Sequence, residues 1–220
     1  MLSIVSIDIG LKNLAIYKEY FNMDKAKLVK KPLKRYDKYG SSHPEMDEYI
    51  NEVGKCGQCI FIDKNNLGER KDFFSSKAFI NLYDYLEELD KKDVFRDVNV
   101  ILIEKQLKIN PTATVLMNHI HAWFLINFGT FKKVILYPSK NKTRILGASL
   151  KVENENGKAI KTDKKYRKKW AVMKAESILT LREDIDTLSI FEKNKSKRDD
   201  IADVLVQALS YNIQLLLREK

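Results

Sequence analysis

Two apolar runs, each closing near a carboxylate, constrain the fold of this chain more than any other feature. Residues 2–9 read LSIVSIDI, with Asp8 near the end, and residues 98–104 read VNVILIE and end in Glu104. Runs that are apolar nearly throughout are typical of central strands buried on both faces. If the two strands are parallel neighbours, we expect Asp8 and Glu104 to emerge side by side at one edge of the sheet.

Paired carboxylates at that edge predict a divalent metal site. Two neighbouring carboxylates repel each other and raise each other's pKa unless a cation lies between them. Oxygen ligands of this kind suit Mg²⁺ or Mn²⁺, whereas Zn²⁺ prefers His and Cys. For Asp8 taken alone, the structural alternative is that it caps the turn at Gly10 or pairs with a basic side chain.

A third group of acids opens the segment SKRDDIADVLVQALSYNIQLLL, residues 196–217, which has the pattern of a long helix. Ser196 and Asp199 have the spacing of a capping box, which explains one acid structurally. Asp200 and Asp203 lie three residues apart on one helix face, at the border of the apolar stripe. We therefore predict that Asp200 and Asp203 bind metal. Asp199 and Asp203, at i and i+4, are also neighbours on a helix, so Asp199 with Asp203 stays open as the alternative metal-binding pair.

Taken together, these segments resemble the three acidic motifs of the RuvC-like Holliday junction resolvases. The matching segments are SIDIGLKNLA at 6–15, LIEKQ at 102–106 and DDIAD at 199–203. The resemblance is greatest to the branch that holds the enzymes of poxviruses, other large DNA viruses and fungal mitochondria. It implies an α/β fold, with a ribonuclease H-like mixed sheet flanked by helices and an insertion after the second strand.

The resemblance also implies a set of site residues. The catalytic carboxylates, which bind the metal, would be Asp8, Glu104, Asp200 and Asp203. Lys140 and Lys142, in the segment YPSKNK, would approach the scissile phosphate; the alternative for each is an ordinary solvated lysine.

The chemistry implied is metal-dependent hydrolysis of DNA at four-way junctions. Two Mg²⁺ or Mn²⁺ ions per active site, about 4 Å apart, would activate the attacking water and stabilise the leaving 3′ oxygen, which leaves a 5′ phosphate. A homodimer with twofold symmetry would cut opposing strands in pairs. In this family the helix that corresponds to residues 110–128 contributes to the dimer interface, and packing within the monomer is the alternative.

Two other functions stay open at this point. One is another nuclease on the same fold, acting on flaps or RNA–DNA hybrids, because carboxylates on this scaffold specify phosphodiester chemistry more firmly than substrate. The other is a non-catalytic binder of branched DNA, which the intact set of four acids disfavours.

The formal charge of +10 favours binding to a polyanion such as DNA. Basic runs occur at residues 30–35, 140–144 and 164–169. The residues predicted to bind DNA are Lys105, Lys140, Lys142, Arg144, Lys164, Lys165, Arg167, Lys168 and Lys169. The alternative interpretation of each run is that its basic residues are a solvated face of the protein and do not bind DNA.

The remaining predictions concern domains, cysteines and location. Residues 1–220 are predicted to form one nuclease domain, with about 20–66 as an inserted or partly ordered region. Cys56 and Cys59 make half of a zinc site, which would need His43 or a second subunit and is disfavoured. With no membrane-spanning run, no signal peptide and no small-molecule cofactor motif, we expect an intracellular protein without a membrane partner; viral factory, cytoplasm, nucleus and mitochondrion are not distinguished.

The expected order of elements follows from the periodicity of apolar residues. Strands are predicted near 2–9, 13–20, 57–62, 98–104 and 132–137. Helices are predicted near 74–90, 112–127, 164–181 and 197–218.

Overall fold

The computed structural model describes residues 1–107, 109–153, 158–193 and 198–218. The strands are β1 (Leu2–Asp8), β2 (Leu14–Phe21), β3 (Gly57–Asn65), β4 (Val100–Lys105), β5 (Lys133–Pro138), β6 (Lys151–Glu153) and β7 (Ala159–Lys161). The helices are α1 (Met23–Lys27), α2 (Pro44–Gly54), α3 (Arg70–Phe74), α4 (Lys77–Lys91), α5 (Pro111–Phe128), α6 (Ser139–Arg144), α7 (Lys164–Leu181), α8 (Ile185–Lys193) and α9 (Arg198–Arg218).

The five longer strands form one mixed sheet in the order β3-β2-β1-β4-β5. β1 pairs with β2 in antiparallel fashion, whereas β4 pairs in parallel with both β1 and β5. Parallel neighbours need a crossover connection, which α5 provides between β4 and β5. This arrangement confirms the predicted α/β fold with a mixed sheet.

The described chain divides into two compact units. The sheet unit comprises Leu2–Phe21 and Cys59–Ser139 and holds most of the five-stranded sheet with α3, α4 and α5. The helical unit comprises Asn22–Gln58 and the chain from Lys140 onward, and it holds α1, α2, the β6–β7 hairpin and α7 to α9. The assignment of residues 1–220 to one nuclease domain stays a prediction.

One side of helix α5 packs into the sheet unit, and the opposite, exposed side also carries apolar residues. Leu116, Ile120 and Phe124 are fully buried, whereas Leu125 and Ile126 are 46% and 82% exposed. A helix that is apolar all round is ordinarily covered on every side. No helix within the described ranges combines the length and apolar character needed to cross a membrane.

In the helical unit, α9 is buried along most of its length and α7 packs against it. α2 in turn packs against α7, and its last residue, Gly54, permits a close approach. A Cβ at Gly54 would lie 2.6 Å from Cδ1 of Ile178. The guanidinium of Arg182 donates a hydrogen bond from Nε to the Gly54 carbonyl at 2.7 Å, which satisfies one of the free carbonyls at the end of α2.

The longer predicted elements are confirmed, and the differences lie in short elements and in residues 20–66. That region contains α1 and α2, which were not predicted, and β3, which matches the strand predicted near 57–62. Its assignment as an inserted or partly ordered region stays a prediction. α2 is a packed helix because Met46, Tyr49, Ile50 and Val53 are buried at i, i+3, i+4 and i+7. The apolar pattern predicts neither α6 nor α8 nor the β6–β7 hairpin, because each is too short to show a clear period.

Candidate active site

Asp8 and Glu104 lie at the same end of neighbouring parallel strands. The register of β1 and β4 pairs Ile7 with Ile103, so the next residue on each strand is one of the two acids. Ile7 and Ile103 belong to the core that includes α4 and α5, and side chains alternate along a strand, so both acids leave on the opposite face. Adjacent strands are about 4.8 Å apart. The predicted strand arrangement is confirmed, and the metal-binding role stays a prediction.

The carboxylate of Glu104 is held by a neutral donor. Glu104 is 9% exposed, and Gln106 Nε2 donates a hydrogen bond to Glu104 Oε2 at 2.7 Å. The backbone N–H of Gln106 donates in turn to Met117 Sδ on α5 at 3.3 Å. Because an amide carries no charge, this contact orients the carboxylate without neutralising it.

On α9, in the helical unit, Asp203 is paired with a lysine. Lys142 Nζ lies 2.9 Å from Asp203 Oδ2, and the two side chains are only 10% and 21% exposed. Lys142 lies on α6, which follows β5 directly. Asp200 lies three residues before Asp203 on the same helix and is partly buried. Lys142 is therefore not an ordinary solvated lysine: it is the buried partner of a predicted metal ligand.

Asp199 is paired with a different lysine. Lys168 on α7 donates to the Asp199 carboxylate and forms an ion pair with it. This hydrogen bond, together with the charges of Asp199, Asp200 and Asp203, raises the pKa of Lys168 above its ordinary value, while burial opposes the shift. Ser196, predicted to cap the helix with Asp199, lies outside the described residues. Asp199 thus has a structural partner on another helix of its own unit.

Some of the residues predicted to bind DNA already make contacts within the protein, and others do not. Arg167 donates from Nη1 to the Thr162 carbonyl at 3.2 Å, so part of its guanidinium is used inside the helical unit. Lys142 and Lys168 are engaged by aspartates, as described above. The remaining members of the set are exposed and have none of these contacts: Lys105, Lys140, Arg144, Lys164, Lys165 and Lys169.

The donor chemistry of these acids fits a hard divalent cation. Within each unit taken by itself, the described residues contain no group of three or more His, Cys, Asp or Glu side chains placed to hold a metal. The sheet edge nevertheless presents two carboxylates on adjacent strands, whose mutual repulsion a cation relieves. Carboxylate oxygens on rigid backbone are the ligands that Mg²⁺ and Mn²⁺ take.

Cys56 is a poor metal ligand in this setting. Cys56 is buried, and its thiol donates to the Glu52 carbonyl at 3.5 Å, at the end of α2. Burial raises the pKa of the Cys56 thiol, which disfavours the thiolate that a zinc ion needs.

Gln106 belongs to this site, but the sequence patterns do not predict a role for it. It stands two residues after Glu104, and the period of a strand places residues i and i+2 on one face. That spacing, with an amide donor beside an acid, is the signal that identifies it.

Sequence comparison finds a viral relative. No protein-family profile matches the chain. The chain is 33% identical to uncharacterized protein 170L of Invertebrate iridescent virus 6 over 144 residues, which is 61% of this chain. The match covers 57% of the viral protein, so this chain spans little more than half of that relative's length.

Structural comparison identifies the fold. The crystal structure of the fowlpox virus resolvase with its substrate Holliday junction DNA aligns with a TM-score of 0.53 at 20% identity, over 97% of this chain and 99% of that chain. A crystal structure of the fowlpox virus Holliday junction resolvase gives a TM-score of 0.49 at 19% identity, over 97% of this chain and 99% of that chain. The first alignment extends over nearly the whole of both chains, and it confirms the ribonuclease H-like fold predicted from the motifs.

Proposed function

We propose that this protein is an endodeoxyribonuclease that resolves four-way (Holliday) DNA junctions by paired, metal-dependent hydrolysis of phosphodiester bonds. The observation that carries the proposal is the pair of acids Asp8 and Glu104 at one end of adjacent parallel strands. Carboxylates on rigid strands are a common way to hold the metal ions that cleave phosphodiesters. The fold shared with the fowlpox resolvase supports a junction as the substrate.

The proposed ligands of two Mg²⁺ or Mn²⁺ ions are Asp8, Glu104, Asp200 and Asp203. When bound, the ions would lower the pKa of the attacking water and stabilise the leaving 3′ oxygen, so that the product ends carry 5′ phosphates. The assignment is supported by the order of the three acidic motifs along the chain and by their hard oxygen donors.

The residues around these acids have distinct tasks in the proposal. Gln106 orients Glu104 through the hydrogen bond at 2.7 Å. Lys142 compensates the charge of Asp203 across 2.9 Å. Lys140, two residues before Lys142 on α6 and exposed, is the better placed of the two to reach a phosphate.

Binding to DNA is proposed to depend on the excess of basic residues. A net charge of +10 attracts the phosphate backbone, and binding of this kind weakens steeply with salt. The proposed contacts are the exposed residues Lys105, Lys140, Arg144, Lys164, Lys165 and Lys169.

A homodimer is proposed to place two active sites on one junction. The outer side of α5 exposes Val115, Leu125 and Ile126 to 37%, 46% and 82%. Burial of such an apolar face against a second copy would remove it from water. This stabilises a dimer by roughly 25 cal/mol for each Å² of apolar surface buried. A twofold dimer matches the near twofold symmetry of a four-way junction, which permits paired cuts.

The test is a cleavage assay on three substrates: a four-way junction, a flapped duplex and an RNA–DNA hybrid, each with and without Mg²⁺. We expect the junction to be cut most rapidly, in the presence of Mg²⁺, with ends that a DNA ligase reseals because they carry 5′ phosphates. Preferential cutting of the hybrid or the flap would assign another nuclease activity to the fold. Junction binding without cutting of any substrate would assign a binding protein.

A further inference from the structure

The β6–β7 hairpin, which we name the lysine ribbon, places two like charges side by side. Lys151 pairs with Lys161 in the antiparallel register, and all six residues of the two strands are exposed. The Cβ atoms of directly opposed residues lie about 5 Å apart, and like charges there destabilise a hairpin. The ribbon thus has a feature that costs stability in the isolated protein and that an anion between the two ammonium groups would relieve.

The base of the lysine ribbon is held firmly by the residue that follows β7. Thr162 is 5% exposed, and its hydroxyl donates to the Ser149 carbonyl at 2.9 Å. The backbone N–H of Thr162 donates to the Leu150 carbonyl at 3.0 Å, and Arg167 donates to the Thr162 carbonyl at 3.2 Å. These bonds fix both strands to the first turn of α7.

Residues 36–42, which we name the tyrosine turn, support the other side of the ribbon's base. The Leu150 N–H donates to the Tyr39 carbonyl at 2.8 Å, and the hydroxyls of Ser41 and Ser149 lie 2.5 Å apart. Gly40 has a φ of +82°, and a Cβ there would lie 3.1 Å from the Leu150 side chain. A two-stranded hairpin is marginal on its own. The tyrosine turn, which is part of the region 20–66, therefore helps to hold the ribbon in place.

The acids near the ribbon are occupied by local donors. Glu153 accepts a hydrogen bond from the Tyr39 hydroxyl at 2.6 Å. Asp37 accepts from the backbone N–H groups of Tyr39 and Ser41 at 2.7 and 2.9 Å. In the part of the chain that the structure describes, neither Lys151 nor Lys161 forms an ion pair. As far as the described residues go, the two ammonium groups thus keep their charge available to a ligand.

We propose that the lysine ribbon, held by the tyrosine turn, binds the phosphate backbone of a duplex arm of the DNA substrate through Lys151 and Lys161. The proposal rests on the proposed function and adds a contact surface to it. A two-stranded ribbon fits a DNA groove, where lysines along its edge meet phosphates. Lys164 and Lys165 are exposed directly beyond the ribbon, on α7, and continue the positive charge along the same chain direction.

The experiment measures binding of the full chain to a linear duplex and to a four-way junction across a series of salt concentrations. The test variant carries Lys151→Ala with Lys161→Ala. The control carries Lys71→Ala with Lys77→Ala, two exposed lysines of the sheet unit, so that both variants lose the same net charge. We expect the slope of log K against log salt to fall by about 2 for the test variant on both substrates, one for each lost phosphate contact.

A single change separates binding from structure. Lys151→Glu turns the like-charged pair into an attractive one, so we expect the unfolding temperature to hold or rise while affinity for the duplex falls. An affinity that stays at the level of the unmodified protein would overturn the proposal.

The outcomes also separate the ribbon from the proposed function. A changed slope on duplex DNA without junction cleavage supports the ribbon and contradicts the function. Junction cleavage with equal slopes for the test variant, the control and the unmodified protein supports the function and overturns the ribbon. Absence of binding to either substrate by the unmodified protein overturns both.

Discussion

The sheet edge and the start of α9 hold their acids in different ways. At the sheet edge, Glu104 is oriented by the neutral amide of Gln106. On α9, Asp203 and Asp199 are each paired with a lysine from another helix of their own unit. Strands fix their side chains through backbone pairing on both sides, whereas acids three and four residues apart on a helix repel one another. The partner of Glu104 therefore supplies orientation alone, whereas the partners of Asp203 and Asp199 supply compensating charge.

This difference has a consequence for metal binding. A carboxylate held by a neutral donor keeps its full negative charge for a cation. A carboxylate beside an ammonium group shares that charge, so the lysine and the metal ion compete for it. We therefore expect substitutions of the groups that hold these acids to act on different quantities: metal affinity for Gln106, and stability for the lysine partners on α6 and α7.

The largest effect on stability is expected for Lys142→Ala. It leaves Asp203 without its ammonium partner in a mostly buried position, which costs about 3 kcal/mol of unfolding free energy. Urea denaturation measures the loss. The matched control is Lys140→Ala on the same helix, which is exposed and should change stability by about 0.5 kcal/mol or less. Equal losses for both variants would show that the ion pair of Lys142 and Asp203 does not stabilise the fold.

The next effect is expected for Gln106→Leu, which keeps the size of the side chain and removes the donor to Glu104. Loss of a residue that orients a metal ligand typically lowers metal affinity by about 10- to 100-fold. Titration with Mn²⁺, followed by its electron spin resonance signal, measures this without any cleavage. Lys105→Ala, one residue away, is the control that should leave the affinity unchanged. Unchanged binding in both variants would remove Gln106 from the site.

The smallest effect is expected for Asp199→Asn. Its partner Lys168 has a side chain that is 47% exposed, and exposed ion pairs contribute about 1 kcal/mol or less. We expect a loss in this range at low salt that shrinks as salt is raised, because ions screen the pair. A loss of several kcal/mol that does not depend on salt would indicate that Asp199 has a larger structural role.

The sequence predicts the sheet unit better than the helical unit, for physical reasons. Asp8 and Glu104 can be predicted because a carboxylate at the end of an apolar strand is unusual, and parallel pairing brings such ends together. The amphipathic period of α2, at Met46, Tyr49, Ile50 and Val53, is present in the sequence, but it is hidden in a region rich in lysine and tyrosine. Its stability comes from packing in the unit, which no local pattern shows.

The partners of the α9 acids could not be predicted from sequence. Lys142 and Lys168 are 61 and 31 residues from Asp203 and Asp199, and many other lysines are available to either acid. Which lysine approaches depends on how α6 and α7 pack against α9. Gln106, by contrast, is only two residues from Glu104 and directly follows the end of β4, so its contact is local in sequence.

The most direct test of the central claim is cleavage of a four-way junction in Mg²⁺ by Asp8→Asn, from the sheet edge, and Asp200→Asn, from α9. Removal of a charge that is proposed to hold the metal should cost several kcal/mol in the transition state, so that each variant cuts roughly a thousandfold more slowly or not at all. The affinity for the junction should remain close to that of the unmodified protein, because the attraction to phosphates comes from lysine and arginine and both variants keep all of these residues. Cleavage at the unmodified rate by either variant would contradict the account.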